Sequence, residues 1–79
     1  MAKLTATRLI QFINELRPID SLDADTPLFS EGTVDSVGLI ALINFVEHES
    51  GIEVGPADVT LENFDTINLI LKYVSLQVP

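Results

Sequence analysis

The chain has no cysteine and no tryptophan among its 79 residues. Without cysteine there is no disulfide, no thiolate nucleophile and no cysteine-based metal site. Histidine occurs once, as His48. Basic residues are scarce, four against twelve acids, and the formal net charge is −8. Gripping a phosphate backbone takes clustered Lys and Arg, so nucleic acid is excluded as a partner. The same deficit argues against docking on anionic membrane surfaces. It favours protein partners with basic docking surfaces. No run approaches ~18 uninterrupted apolar residues, so no membrane span is expected. The start, Met1 to Leu16, is amphipathic and contains Glu15. It lacks an apolar core followed by a small-residue cleavage site, so no secretory signal is expected and the cytoplasm is the expected location.

What is present is a helical pattern of single-domain size, residues 1–79. Ala6, Leu9, Ile10, Ile13 and Leu16 recur at helical spacing and predict a first helix from about Thr5 to Leu16. Arg17 then meets Pro18, which disfavours further helix. Pro18 to Asp35 is a long connection broken by Pro27 and Gly32. Ile19, Leu22, Leu28 and Phe29 could pin it to a core, so an ordered loop is expected. A second helix is predicted from Ser36 to about Ser50, with Asp35 before it and Gly51 as its stop. Ile52 to Pro56 reads as a short extended link, and Ala57 to Phe64 as room for a helical turn. Asp65 or Thr66 then caps a last helix to about Leu76, with Ile67, Ile70, Leu71 and Val74 as its buried stripe. No run shows strand alternation. The expected fold is all-α: three main helices, one short helix and a long first loop.

The second helix is apolar most of the way round. At ~100° per residue, Leu39, Leu42, Ile43 and Val46 fall on one side, the expected core side. Opposite lie Val37, Ala41, Asn44 and His48, with Ile40 on the flank close in angle to Ser36. A domain this small has little material to bury such a helix on all sides. The outward face is therefore a candidate partner surface, although scattered apolar residues also occur on ordinary surfaces.

Few constellations support catalysis. His48 lies twelve residues after Ser36, which on one helix separates them by ~18 Å. That is far beyond the reach of a nucleophile and its base. Asp20 to Glu31 has the length of a calcium loop, with Asp first and Glu last. Its third, fifth and sixth positions are Leu22, Ala24 and Asp25, and Pro27 is at the eighth, so calcium is rejected. The acids Asp20, Asp23, Asp25 and Glu31 read instead as a solvated face. There is no Gly-rich phosphate loop, zinc spacing or lipidation motif. What remains is Asp35-Ser36 at a helix start. Such a start favours an attached phosphate, and it is equally common capping chemistry.

The stretch Leu28 to Glu47, LFSEGTVDSVGLIALINFVE, resembles the phosphopantetheine-attachment region of acyl and peptidyl carrier proteins. Leu28-Phe29, Gly32 and Asp35-Ser36 fall at matching spacing. Gly51-Ile52-Glu53-Val54, Pro56 and Asp58 resemble the segment after that family's second helix, and Asp65, Thr66 and Ile67 the start of its last helix. The resemblance implies the family's four-helix bundle. It implies that a magnesium-dependent phosphopantetheinyl transferase moves 4'-phosphopantetheine from coenzyme A onto Ser36, with Asp35 helping to position that serine. The arm would import the thiol that a cysteine-free chain lacks, and an acyl or aminoacyl cargo would ride on it as a thioester. No catalysis by the chain and no metal of its own are implied. The implied partners are the transferase, a loading ligase or adenylation enzyme, and downstream synthase enzymes, with the chain acting as a monomer. Val37, Ile40, Ala41, Asn44, Glu47 and His48 are the candidate recognition residues.

Three departures stand out. Val37 replaces the family's usual Leu or Met and is shorter and β-branched. Gly38 follows, a poor helix residue that either loosens the helix start or admits a close contact. The outward face lacks the acidic stripe of fatty-acid-synthesis carriers. The sequence is more similar to freestanding carriers of polyketide or nonribosomal-peptide pathways, with D-alanyl carriers as another possible relative. An unmodified helical interaction module is the alternative reading.

Overall fold

A computed structural model describes residues 4–18, 21–32 and 34–77. Ile19, Asp20 and Thr33 lie outside the described residues, and with them part of the loop reading above. Among the described residues four α-helices follow in order: α1 (Ala6–Leu16), α2 (Ser36–Ser50), α3 (Leu61–Phe64) and α4 (Ile67–Gln77). A 3-10 turn, Pro56–Asp58, precedes α3. No strand occurs among the described residues. This is the all-α bundle expected from the pattern.

Local chemistry sets the helix ends. Thr5 caps α1, its hydroxyl accepting from the Arg8 amide at 3.1 Å. The helix stops at Arg17, ahead of Pro18, where the backbone turns extended. Gly51 ends α2 in the left-handed conformation at φ 77°, which an L side chain rarely adopts. Thr66 caps α4 through its hydroxyl, which accepts from the Leu69 amide at 3.1 Å. Asp65, the other expected cap, does something different, described below.

Each element contributes to one core. Leu9 and Ile13 come from α1, Leu42 and Val46 from α2, Phe64 from α3, and Ile67, Ile70, Tyr73 and Val74 from α4. Leu28 and Val34 of the first loop are also buried, so the loop is part of the core. Phe12 stacks on Phe45 at 4.2 Å between ring centres, and the Arg8 guanidinium lies over Phe45 while pairing with Glu49 at 2.8 Å. These contacts join α1 to the far half of α2. The expected core members Leu39, Ile43 and Leu71 are only half-buried. Tyr73, absent from the expected stripe, is buried. Its ring packs on Phe64 at 5.4 Å, and its hydroxyl donates to Asp58 Oδ2 at 2.8 Å. That bond satisfies the polar end of the ring and ties the 3-10 turn to α4.

Candidate functional site around Ser36

Ser36 is the first residue of α2 and is exposed. Asp35 caps the helix, its Oδ1 accepting from the Gly38 amide at 2.9 Å. The Leu39 amide reaches the Asp35 carbonyl at 2.9 Å. The amides of Ser36 and Val37 have no earlier helical carbonyl behind them. The hydroxyl of Ser36 therefore stands beside free donors at the positive end of a helix, a setting that suits an attached phosphate.

Gly38 has a specific reason to be there. A Cβ at this position would sit 2.6 Å from Val34 Cγ1. Val34 is buried and held by its amide, which donates to the Leu28 carbonyl at 2.7 Å. Of the two readings of Gly38, the structure selects close contact. The missing side chain lets the loop pack against the first turn of α2.

An apolar groove opens next to Ser36. It encloses about 410 Å³ and is lined by Phe29 and Val34 of the loop, Asp35, Ser36 and Leu39 at the helix start, and Val59, Thr60, Leu61 and Phe64 around α3. The groove lies on the Leu39 side of α2, because loop and α3 close over that flank. Ile40 is left 62% exposed.

Asp65 holds two walls of this groove together. Its Oδ1 accepts from the amides of Phe29 and Ser30, each at 2.9 Å, and its Oδ2 accepts from the Ser30 hydroxyl at 2.8 Å. Its carbonyl accepts from the Leu28 amide at 2.6 Å. Burial works against the charge of Asp65, but the hydrogen bonds from Ser30, Phe29 and Leu28 outweigh it and hold its carboxyl below its ordinary range. Expected as a helix cap, Asp65 is a clasp between the first loop and the α3–α4 junction. Nothing in the local sequence distinguishes these roles, because Leu28 to Ser30 are remote along the chain.

The candidate recognition residues of α2 divide into two groups. Val37, Ile40, Asn44 and His48 are exposed, and Ala41 is half-buried. Glu47 is turned toward the domain, its Oε2 accepting from the Val54 amide at 2.9 Å. His48 lies near the opposite end of α2 from Ser36. In the region tested for calcium, Asp23 Oδ1 accepts from the Asp25 amide at 2.8 Å, and Asp25 Oδ1 accepts from the Asn68 side chain at 2.6 Å. These acids serve turn geometry and the contact with α4.

Residues 6–74 match the family described as the phosphopantetheine attachment site. The chain belongs to this family, and its bundle is a carrier domain of the acyl-carrier type. It is 34% identical over 55 residues to a probable acyl carrier protein, PigG, of Serratia sp. (strain ATCC 39006), covering 70% of this chain and 63% of that protein. It is 34% identical over 56 residues to the D-alanyl carrier protein of Abiotrophia defectiva, covering 71% of each. The cofactor of such a domain is covalent 4'-phosphopantetheine. Residues at the start of α2 fit it: an exposed hydroxyl, free helix-start amides and an adjoining apolar groove large enough to receive part of an arm or its cargo. No helix among the described residues is long and apolar enough to cross a membrane.

Proposed function

We propose that this protein is a carrier in which Ser36 Oγ bears the phosphopantetheine arm and the arm bears an acyl or aminoacyl thioester. The exposed Ser36 hydroxyl at the capped start of α2 carries this reading. Ser36 supplies the oxygen of a phosphodiester and takes no part as a nucleophile in later turnover. Asp35 holds the first turn so that Ser36 faces outward. The arm, when attached, supplies a terminal thiol. The chain contributes no catalysis, and its lone His48 is too far along α2 to serve Ser36 as a base.

The partners follow from that role: a phosphopantetheinyl transferase, a loading ligase or adenylation enzyme, and the enzymes that use the cargo. The two relatives are named as an acyl carrier and a D-alanyl carrier, which supports an acyl or aminoacyl cargo here. The reading extends to residues 1–79 as one domain acting as a monomer in the cytoplasm. The test is an intact mass after incubation with coenzyme A, magnesium and a broad-specificity phosphopantetheinyl transferase. The wild type is expected to gain one phosphopantetheine and Ser36→Ala none. No gain by the wild type, with the transferase active on a control carrier, would leave the unmodified interaction module as the better reading.

A further inference from the structure

The first turn of α2 has little to hold it. The first buried residue of that helix is Leu42. Before it, Ser36, Val37 and Ile40 are exposed, and Gly38, Leu39 and Ala41 are half-buried. Open space lies on both sides of the turn. The groove toward α3 encloses about 410 Å³, and a second groove of about 240 Å³ separates Leu16 and Arg17 of α1 from Val37 and Ala41. Close support comes from the residue before the helix cap, buried Val34, whose Cγ1 lies 2.6 Å from where a Gly38 Cβ would stand. Val34 is fixed in turn by its amide, which donates to the Leu28 carbonyl at 2.7 Å. The segment from Leu28 to Val34 therefore leaves from and returns to one point. The buried Leu28 side chain seats that point in the core, and Asp65 fixes its backbone. Four bonds converge on Asp65: the Leu28 amide on its carbonyl, and the Phe29 amide, the Ser30 amide and the Ser30 hydroxyl on its carboxylate.

We propose that Asp65 is a positioning residue for the modification of Ser36, acting through Leu28 and Val34. Its carboxylate fixes the base of the loop, the loop places Val34, and Val34 sets where the first turn of α2 and its Ser36 hydroxyl stand. The inference rests on Ser36 being the attachment residue. In that transfer Ser36 Oγ bonds to the pantetheine-bearing phosphorus of coenzyme A. The pyrophosphate bond to the nucleotide breaks, the nucleotide leaves with the bridging oxygen, and the hydroxyl proton passes to a base on the transferase. The attacking oxygen must arrive in line, and a misplacement of about 1 Å can cost roughly a hundredfold in rate. Asp65 touches none of the reacting atoms. It lies at the α3–α4 junction, away from the exposed side of α2, so its loss acts on the rate within the docked complex and not on docking.

The experiment compares wild type with Asp65→Ala, Asp65→Asn and Val74→Ala, each checked for helicity and assayed well below its melting temperature. Arm transfer by a broad-specificity transferase with coenzyme A and magnesium is followed by intact mass. Asp65→Ala is expected to lower kcat by about tenfold with KM within about twofold, the signature of a poorly aligned serine in a complex that still forms. Asp65→Asn keeps an oxygen for the Phe29 and Ser30 amides and is expected to restore kcat to within about threefold of wild type. Val74 is buried on α4 and takes no part in the relay. Val74→Ala should melt at a lower temperature with kcat unchanged. An equal loss of kcat in Val74→Ala would mean that stability alone sets the rate, and the proposal fails. A raised KM with kcat intact also overturns it. A second measurement needs no transferase. Hydrogen exchange of the Gly38 amide reports on the first turn through its bond to Asp35 Oδ1. It is expected to be about tenfold faster in Asp65→Ala and unchanged in Val74→Ala, because a helix start opens locally and not by global unfolding. Equal Gly38 exchange in wild type and Asp65→Ala refutes the relay. If Asp65→Ala does not fold, Ser30→Ala, which removes only the bond to Oδ2, takes its place. Its kcat is expected to fall by about twofold, and an unchanged value counts against the relay. A wild type that gains no arm removes the carrier reading itself, a result separate from the exchange rates.

Discussion

The two flanks of Ser36 are built differently. Toward α3, the groove walls come from the loop, α2 and the α3 region, and directional bonds tie them. Asp65 joins Phe29 and Ser30 to the α3–α4 junction, and Tyr73 holds Asp58 of the preceding turn. Toward α1, no hydrogen bond among the described residues joins Leu16 or Arg17 to α2. That flank rests on packing, chiefly Val34 against the bare backbone of Gly38. Hydrogen bonds fix relative positions to a few tenths of an ångström and hold a cavity open in one shape. Exposed apolar contacts are non-directional and accept partners of several shapes. The tied flank suits the role of a defined recess beside the arm, and the packed flank suits serial docking.

The largest effect on this contrast should come from Asp65→Ala. It strips the acceptor from two amides and a hydroxyl; a hydrogen bond to a charged group contributes ~1.5–3 kcal/mol net, and less where, as at this half-buried site, the freed donors can turn to water. A loss of about 2–4 kcal/mol in unfolding free energy is expected, read from urea denaturation. The pH dependence follows from the sign of its shift. The folded carboxyl of Asp65 is lowered from 3.8, so its contribution is present above that value and is lost as pH falls through the lower folded one. In Asp65→Asn that acid-dependent component should vanish, and an unaltered acid unfolding profile would show that the clasp does not act as a carboxylate.

The packed flank is broken by Gly38→Ala. Helix propensity alone favours Ala by about 1 kcal/mol. The overlap with Val34 opposes it, and overpacking of this kind costs about 1–3 kcal/mol. A net loss of about 1 kcal/mol is expected on thermal or urea melting. A stabilised variant would mean that the loop is free to move off α2, and the contrast between the flanks would widen.

An effect of the same small size, about 1 kcal/mol, belongs to Tyr73→Phe, which removes one donor from the half-buried carboxylate of Asp58. Its sharper signature lies at high pH. Burial, and then the bond to Asp58, push the Tyr73 hydroxyl from 10.0 up to about 12. A raised folded value means that the contribution is complete below pH 10.0 and is lost as pH rises toward about 12. Tyr73→Phe should lose this alkaline component of unfolding, and its persistence would assign it to another group.

Much of the frame was legible because its signals are local. Pro18 stops α1, Asp35 and Gly51 bracket α2, and the spacing of Ile67, Ile70 and Val74 reports the buried side of α4. The long loop was readable as ordered because Leu28 and Phe29 needed somewhere to go. The candidate site was legible only in part. Ser36 and Asp35 are visible as a helix start, but the recess beside them is assembled from residues far apart in sequence. Leu39 faces that recess while Ile40 does not, a choice that depends on where α3 closes. Glu47 looked like part of an outward face, and the link that follows α2 folds back to occupy it with the Val54 amide. Tyr73 escaped notice because a polar-tipped ring enters a core only when a partner such as Asp58 is brought to it.

The sequence by itself determined the helices, their order, the acidity and the serine at the start of α2, since caps, breakers and apolar spacing act within a turn or two of the chain. Only the tertiary structure decided that Asp65 clasps the first loop, that Gly38 makes room for Val34, and that Ser36 stands between two grooves of different character. Those outcomes depend on hydrogen bonds and packing between segments up to 37 residues apart, and no local pattern encodes which distant atoms will meet.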